Sequence, residues 1–189
     1  ASRGVGIGSL INMESDEKAI AITSLDRKTD KKYVVFMTKQ GLIKKTLLEE
    51  YTQTKRSTGI QAIKIKDGDS IANIEIMNEE EMIVITKKGM SIRFATNDIA
   101  AIGRVTSGVK AIKLDEDDEV LVGLPITNKN SKVSIVTGYG YGKKTDIEEF
   151  PIQGRAGKGV VIYKVTPSTG NVIGAAMITD EDNVLLVGK

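Results

Sequence analysis

The chain has 189 residues, with 27 Lys or Arg against 25 Asp or Glu and neither His nor Cys. That composition excludes disulfides, thiolate nucleophiles, the usual zinc sites and a Ser-His-Asp triad. Aromatics make up 4% and Trp is absent, so the core must be aliphatic; no apolar run approaches the roughly 18 residues of a membrane span, and no signal peptide is visible.

In chain order, the opening residues ASRG read as a boundary inside a repeat, so the chain is expected to be a fragment. Arg3 and Gly4 stand where later glycine loops stand, SDE at Ser15 is a polar turn, and AIAIT closes the back half of a unit over residues 1–25. Three related passages follow: YVVFMTKQGLIKKT from Tyr33, MIVITKKGMSIRF from Met82 and VSIVTGYGYGKKT from Val133. Each holds a short β-branched run bounded by a glycine turn, which favours strand over helix. A second glycine comes 18, 19 and 19 residues after the first, at Gly59, Gly108 and Gly159. It opens another strand-like run (IQAIKI, VKAIKL, VVIYKV), then a polar turn (DGDS, DEDDE, PSTGN) and a last apolar stretch. VLLVGK from Val184 begins the phrase again.

The units are therefore 32–77, 81–126 and 132–178, with a half unit before them and the first strand of another at 183–189, all in a single domain over 1–189. A period near 50 residues means stacked supersecondary units, most often propeller blades or a solenoid. The predicted fold is all-β, built of four-stranded blades. Sustained helical periodicity is missing; TLLEEY at Thr46 and NDIAAIG at Asn97 are candidates for single helical turns.

Charge follows the same period. Windows 38–46, 53–66, 86–94, 104–113, 137–145 and 153–164 hold eighteen of the 27 basic residues and no acid. The other 126 residues carry 9 basic and 25 acidic residues. Equivalent positions of a repeat lie on one side of the assembly, so basic turns make a stripe. A basic stripe on a rigid scaffold is the footprint of a polyanion partner; solvated turns that protect strand edges would show the same residues.

The cations sit beside glycines, where backbone N–H groups approach a phosphate closely. The candidates are Lys44, Lys45, Lys55, Arg56, Arg93, Arg104, Lys143, Lys144, Arg155 and Lys158. Lys64, Lys113 and Lys164 recur at one repeat position, yet each follows an apolar residue and reads equally as an outward strand residue without a ligand. Five scattered tyrosines are too few to stack a single strand, so duplex DNA held by its backbone fits better. DEDDE at Asp115 is not a metal site, since consecutive acids in one turn splay apart and EF-hand spacing is absent.

The most specific motif is QGRAGKG: Gln153, Gly154, Arg155, Ala156, Gly157, Lys158 and Gly159. It lacks the spacing of a nucleotide-binding P-loop and, alone, reads as a glycine-rich loop between blades. Together with KQGLIKKTLLEEY, TSGVKAIKL, GYGKKTDIEEFP and KGVVIYKV, it makes the chain resemble, over nearly its whole length, the C-terminal domain of the DNA gyrase A protein. The related A protein of topoisomerase IV is the close alternative.

The resemblance implies a β-pinwheel whose blades exchange strands. It also implies a noncatalytic domain that wraps duplex DNA on a basic outer rim and supports ATP-dependent negative supercoiling by the holoenzyme. The cleavage tyrosine and the ATPase would lie outside this chain, with ATP and Mg belonging to the holoenzyme and no cofactor or metal here. The implied partners are duplex DNA, the rest of the gyrase A protein and the gyrase B protein, in the bacterial cytoplasm at the nucleoid, with no membrane. The gyrase hallmark is a box reading QRRGGKG in the first blade. Gln153, Arg155, Gly157, Lys158 and Gly159 match it, Gly154 and Ala156 depart from it, and the unit that holds them resembles the penultimate blade. Only DNA-backbone contact is carried over, to Arg155 and Lys158. Two other readings stay open: a protein-binding propeller using its acidic turns or disc face, and an enzyme with a site in a central channel.

Overall fold

The computed structural model describes residues 4–6, 8, 11, 13, 17–26, 28–53 and 59–188. Its strands are β1 Tyr33–Thr38, β2 Leu42–Leu47, β3 Ile71–Met77, β4 Glu81–Thr86, β5 Met90–Ala95, β6 Val109–Lys110, β7 Val120–Ile126, β8 Lys132–Thr137, β9 Gly142–Asp146, β10 Val160–Val161 and β11 Val172–Ile178. Among the described residues, helical elements from Tyr33 onward are one short helix, Glu49–Thr52, and 3-10 turns at Thr96–Asp98 and Ile147–Glu149. The first two fall at the stretches expected from Thr46 and Asn97, although Thr46 itself lies in β2. The fold is all-β with antiparallel sheets.

Each hairpin is closed by the same device. The hydroxyls of Thr38, Thr86 and Thr137 accept the backbone N–H four residues on, from Leu42, Met90 and Tyr141, at 3.1–3.2 Å. Gly41, Gly89 and Gly140 take φ of 80–84° there, a region open to glycine. Two acidic turns serve the hairpins as well: Asp69 accepts from the Gln40 N–H and Asp118 from the Lys88 N–H, at 2.9 and 3.0 Å. The carboxylates of DGDS and DEDDE thus hold turns, and no group of three or more His, Cys, Asp or Glu fit for a metal occurs among the described residues.

Sheet order shows how the repeats join. The first sheet runs β3-β1-β2-β6 and the second β7-β4-β5-β10, while the third is β11-β8-β9. β6 belongs to the second sequence unit and β10 to the third, so each of these units donates one strand to the sheet before it. The donated strand lands immediately after a glycine. A Cβ on Gly108 would stand 2.5 Å from the Ile43 carbonyl oxygen, and one on Gly159 2.0 Å from that of Ser91. Only glycine lets the two backbones approach this closely, and both residues have positive φ, 86° and 76°. Gly59 has nothing within 4 Å of its Cβ position.

The core lies between blades. One cluster joins Val35, Met37 and Ile43 of the first sheet to Met82, Val84, Ile92 and Phe94 of the second. The opposite face of β4, Ile83 and Ile85, packs on Val133, Ile135 and Ile147 of the third. Strands β1 and β4 are therefore covered on both faces and read as continuous apolar runs, whereas β8 alternates buried and half-buried residues. Each such side chain contributes about 1.5–3 kcal/mol. β3 packs on β7 and β7 on β11, so the last strand of each unit faces the shared axis and the donated strands form the outer edge.

The flanking segments differ from expectation. No strand is assigned among the described residues before Tyr33 or after Ile178. Ile22 is 96% exposed and Leu185 86%. A strand needs a ladder of hydrogen bonds to a neighbouring strand, and the three sheets are formed within Tyr33–Ile178.

Replacing Gly159 by Ala should lower unfolding stability in urea by about 2–3 kcal/mol, through the left-handed backbone and the contact with Ser91. Gly59→Ala should change it by less than about 0.5 kcal/mol.

Candidate nucleic-acid interface

The ten candidate cations separate into distinct environments. Lys44 and Lys45, on β2, are 0% and 2% exposed. They do not lie on the surface: as successive strand residues they point to opposite faces of β2, and both faces are covered, that of Lys44 by Tyr51, Ala62 and the Arg104 backbone and that of Lys45 by Thr96 of the following blade. The Lys44 ammonium donates to the carbonyl oxygens of Ala62 and Arg104, both at 2.7 Å, and to the Tyr51 hydroxyl at 3.3 Å. It also sits 5.3 Å from the centre of the Phe36 ring. Burial pushes its pKa down to about 8; Glu50 opposes the shift and Arg104 adds to it.

Lys45 donates to the Thr96 carbonyl oxygen at 2.9 Å, pairs with Glu79 at 3.2 Å and lies 4.6 Å from the Tyr33 ring centre. Its hydrogen bond and charge hold the Glu79 carboxyl below the ordinary range. Arg93, the equivalent residue on β5, is mostly buried and bonds Glu81 at 2.6 Å, Ile147 O at 2.7 Å and Phe150 O at 3.1 Å. Lys44, Lys45 and Arg93 therefore spend their donors inside the protein, a correction to their reading as surface phosphate ligands. Lys143 and Lys144, on β9, are exposed because β9 is the outermost strand of its sheet. Lys55 and Arg56 lie outside the described residues.

The outer edge carries a second population. Lys64, Lys110, Lys113 and Lys164 lie on or beside the donated segments and are all exposed. The loops that lead into those segments bring Arg104, half-buried, and Arg155 and Lys158, exposed. Arg104 donates to Gln61 O at 3.3 Å and Arg155 to Lys110 O at 3.1 Å, equivalent acceptors in successive units. These exposed bonds leave most of each guanidinium fork facing solvent. Lys158 pairs with Asp115 at 3.3 Å, with both side chains well exposed.

The loop 153–159 is held by its backbone. Gln153 N–H donates to Arg93 O, Ala156 N–H to Ala111 O, and Gly157 O accepts from Lys113 N–H, at 2.7–2.8 Å. Ala156 adopts φ 70°, which for a residue with a Cβ costs roughly 1–2 kcal/mol. Arg155 and Lys158 thus project from a fixed turn. Lys64, Lys113 and Lys164 are legible as a recurrence in the sequence; their exposure shows only once the donated strand is placed. Lys110 carries no signal of its own beyond lying in a basic window.

A row of blades, the first two each completed by a strand from the next repeat and edged with exposed cations, is a β-pinwheel, a propeller-like repeat domain. A family model described as "DNA gyrase C-terminal domain, beta-propeller" matches residues 32–77, 80–127 and 132–179, and the chain belongs to that family. It is 35% identical to the DNA gyrase A protein of Helicobacter pylori, over 97% of this chain and 22% of that protein. It is 34% identical to the Escherichia coli gyrase A protein, over 98% and 21%. The chain therefore spans less than a quarter of these curated relatives. A solved DNA gyrase A C-terminal domain superposes with a TM-score of 0.85 at 26% identity, over 96% of this chain and 60% of that one. The C-terminal domain of a DNA topoisomerase IV superposes with 0.81 at 28%, over 94% and 55%. No helix among the described residues is long and apolar enough to cross a membrane.

Lys44 gives a pH signature. Its pKa is lower folded, about 8, than the ordinary 10.5, so the unfolded chain holds more protons between those values. Its contribution to stability therefore rises with pH across that window. Urea denaturation from pH 7.5 to 10.5 should show this rise as a wild-type minus Lys44→Met difference; a pH-independent difference would contradict it.

Proposed function

We propose that this chain is a noncatalytic DNA-binding and DNA-wrapping domain of a type IIA topoisomerase, within its gyrase A protein. It bends duplex DNA along its outer edge and so supports ATP-dependent negative supercoiling by a holoenzyme formed with the gyrase B protein, in the bacterial cytoplasm at the nucleoid. Cleavage, ATP and Mg belong to other parts of that holoenzyme. The observation that carries the reading is the recurrence of exposed Lys64, Lys113 and Lys164 at one position of successive units, flanked by Arg104, Arg155 and Lys158. Exposed ammonium groups spaced by a structural repeat suit a backbone that is itself periodic, without base readout. Bending 20–30 base pairs by 40–90° costs on the order of 1–6 kcal/mol, which added phosphate contacts offset.

Of the ten cations singled out in the sequence, Arg104, Lys143, Lys144, Arg155 and Lys158 remain in the proposed interface, joined by Lys64, Lys110, Lys113 and Lys164. The likeness to a topoisomerase IV domain supports a second reading, in which the same edge selects DNA segments for decatenation.

Duplex titrations across a salt series test the proposal. The logarithm of the binding constant should fall linearly with the logarithm of salt, with a slope near −0.9 per phosphate neutralised. Replacing Lys64, Lys113 and Lys164 together by Ala should make that slope shallower by about 2–3, weaken unrelated sequences alike, and leave stability within about 0.5 kcal/mol. Binding indifferent to salt, or to the triple replacement, would refute the reading.

A further inference from the structure

The cations buried between blades recur in two successive units. Lys45 on β2 and Arg93 on β5 occupy one position of successive units. Lys45 donates to Thr96 O and Arg93 to Ile147 O, which are the first carbonyls of the 3-10 turns in the second and third units. The surrounding backbone repeats too. Ile102 N–H donates to Lys45 O and Gln153 N–H to Arg93 O, both at 2.8 Å. Lys45 and Ala101, like Arg93 and Ile152, form isolated parallel bridges. Each cation is balanced by a carboxylate, Glu79 at 3.2 Å and Glu81 at 2.6 Å.

We propose that this cation is an interblade latch, a positioning residue that fixes the angle between successive blades and hence the curvature imposed on bound duplex. The latch stands on the contacts between blades, whereas its effect on DNA curvature rests on the DNA-wrapping reading above. Apolar packing between blades is non-directional and tolerates sliding. A buried charge does not, because leaving it without its partners costs it the bonds that offset its burial. Tying an ammonium or guanidinium to one carbonyl of the next blade selects one relative orientation, and Arg93 sharpens it by also taking Phe150 O at 3.1 Å. Lys144 holds the same position in the third unit, exposed on the outermost strand β9.

The test uses the full chain with Arg93→Met and Arg93→Lys, each checked for fold by circular dichroism. Small-angle scattering without DNA should show a wider interblade distribution and a larger radius of gyration for Arg93→Met, with Arg93→Lys between it and wild type. Energy transfer between dyes at the ends of a duplex of about 40 base pairs should fall in Arg93→Met by at least about a third. Affinity for a duplex of about 12 base pairs should stay within about twofold, because Arg93 spends its donors inside the protein and reaches no phosphate. Loss of short-duplex affinity by about tenfold or more would overturn the latch in favour of direct contact. Unchanged scattering in a folded Arg93→Met would overturn it outright. If that variant does not fold, Arg93→Lys alone decides, and scattering identical to wild type overturns the latch. A wild type that binds duplex without raising end-to-end transfer would refute the wrapping reading and leave the scattering result to judge the latch.

Discussion

A repeat in this protein does not finish its own sheet. In the first two sheets the fourth strand arrives from the next repeat, at a glycine whose absent Cβ lets two backbones pass at a distance no side chain allows. The rest of the architecture depends on that exchange. It makes neighbouring blades conformationally inseparable, and it leaves the last strand of each unit, β3, β7 and β11, at the axis. It also carries the basic segments after Gly108 and Gly159 to the outer edge. Without the close approach at the Ile43 and Ser91 carbonyls, Lys113 and Lys164 would have no fixed position relative to each other.

The same exchange explains why one charge period became two populations. In the sequence, Lys44, Lys45 and Arg93 look like Lys113 and Lys164: cations near glycines in an acid-free window. Strand parity does not separate them, because β2 and β5 lie second from the outer edge with neighbouring blades against them. Which side a cation faces is decided by the next blade, whose 3-10 turn lies far downstream in the chain. The repeat and the all-β class were legible in the sequence, since these rest on local glycine chemistry and β-branched runs, and the family was legible through the resemblance that QGRAGKG and its companion phrases carry. The interface was legible only in part, since exposure depends on packing between units.

Smaller departures have the same origin. The 3-10 turn at Ile147–Glu149 carries no helical pattern, being three residues long; it exists because Ile147 is anchored in the interblade core. AIAIT and VLLV have the composition of strands, yet strand structure requires a partner that composition cannot supply. The acids of DGDS and DEDDE invite a reading as a protein-binding surface. Asp69 and Asp118 instead satisfy backbone N–H groups of the hairpin turns, a local need that recurs because the turns recur.

The electrostatics of the outer edge follow from this division. Between blades, Lys45 and Arg93 are paired with Glu79 and Glu81, so they add little to the field outside. The net charge of +2 thus understates the edge, where Lys64, Lys110, Lys113, Lys164 and Arg155 face solvent. At physiological salt the screening length is about 8 Å, so a ligand senses only charges within about one such distance. A polyanion lying along the donated strands meets those cations and stays largely screened from acids that face elsewhere. Lys158 is the exception, because Asp115 sits beside it. On the proposed reading, a phosphate approaching there would compete with a carboxylate already in place, which would make Arg155, rather than Lys158, the cation of the glycine-rich loop more open to it.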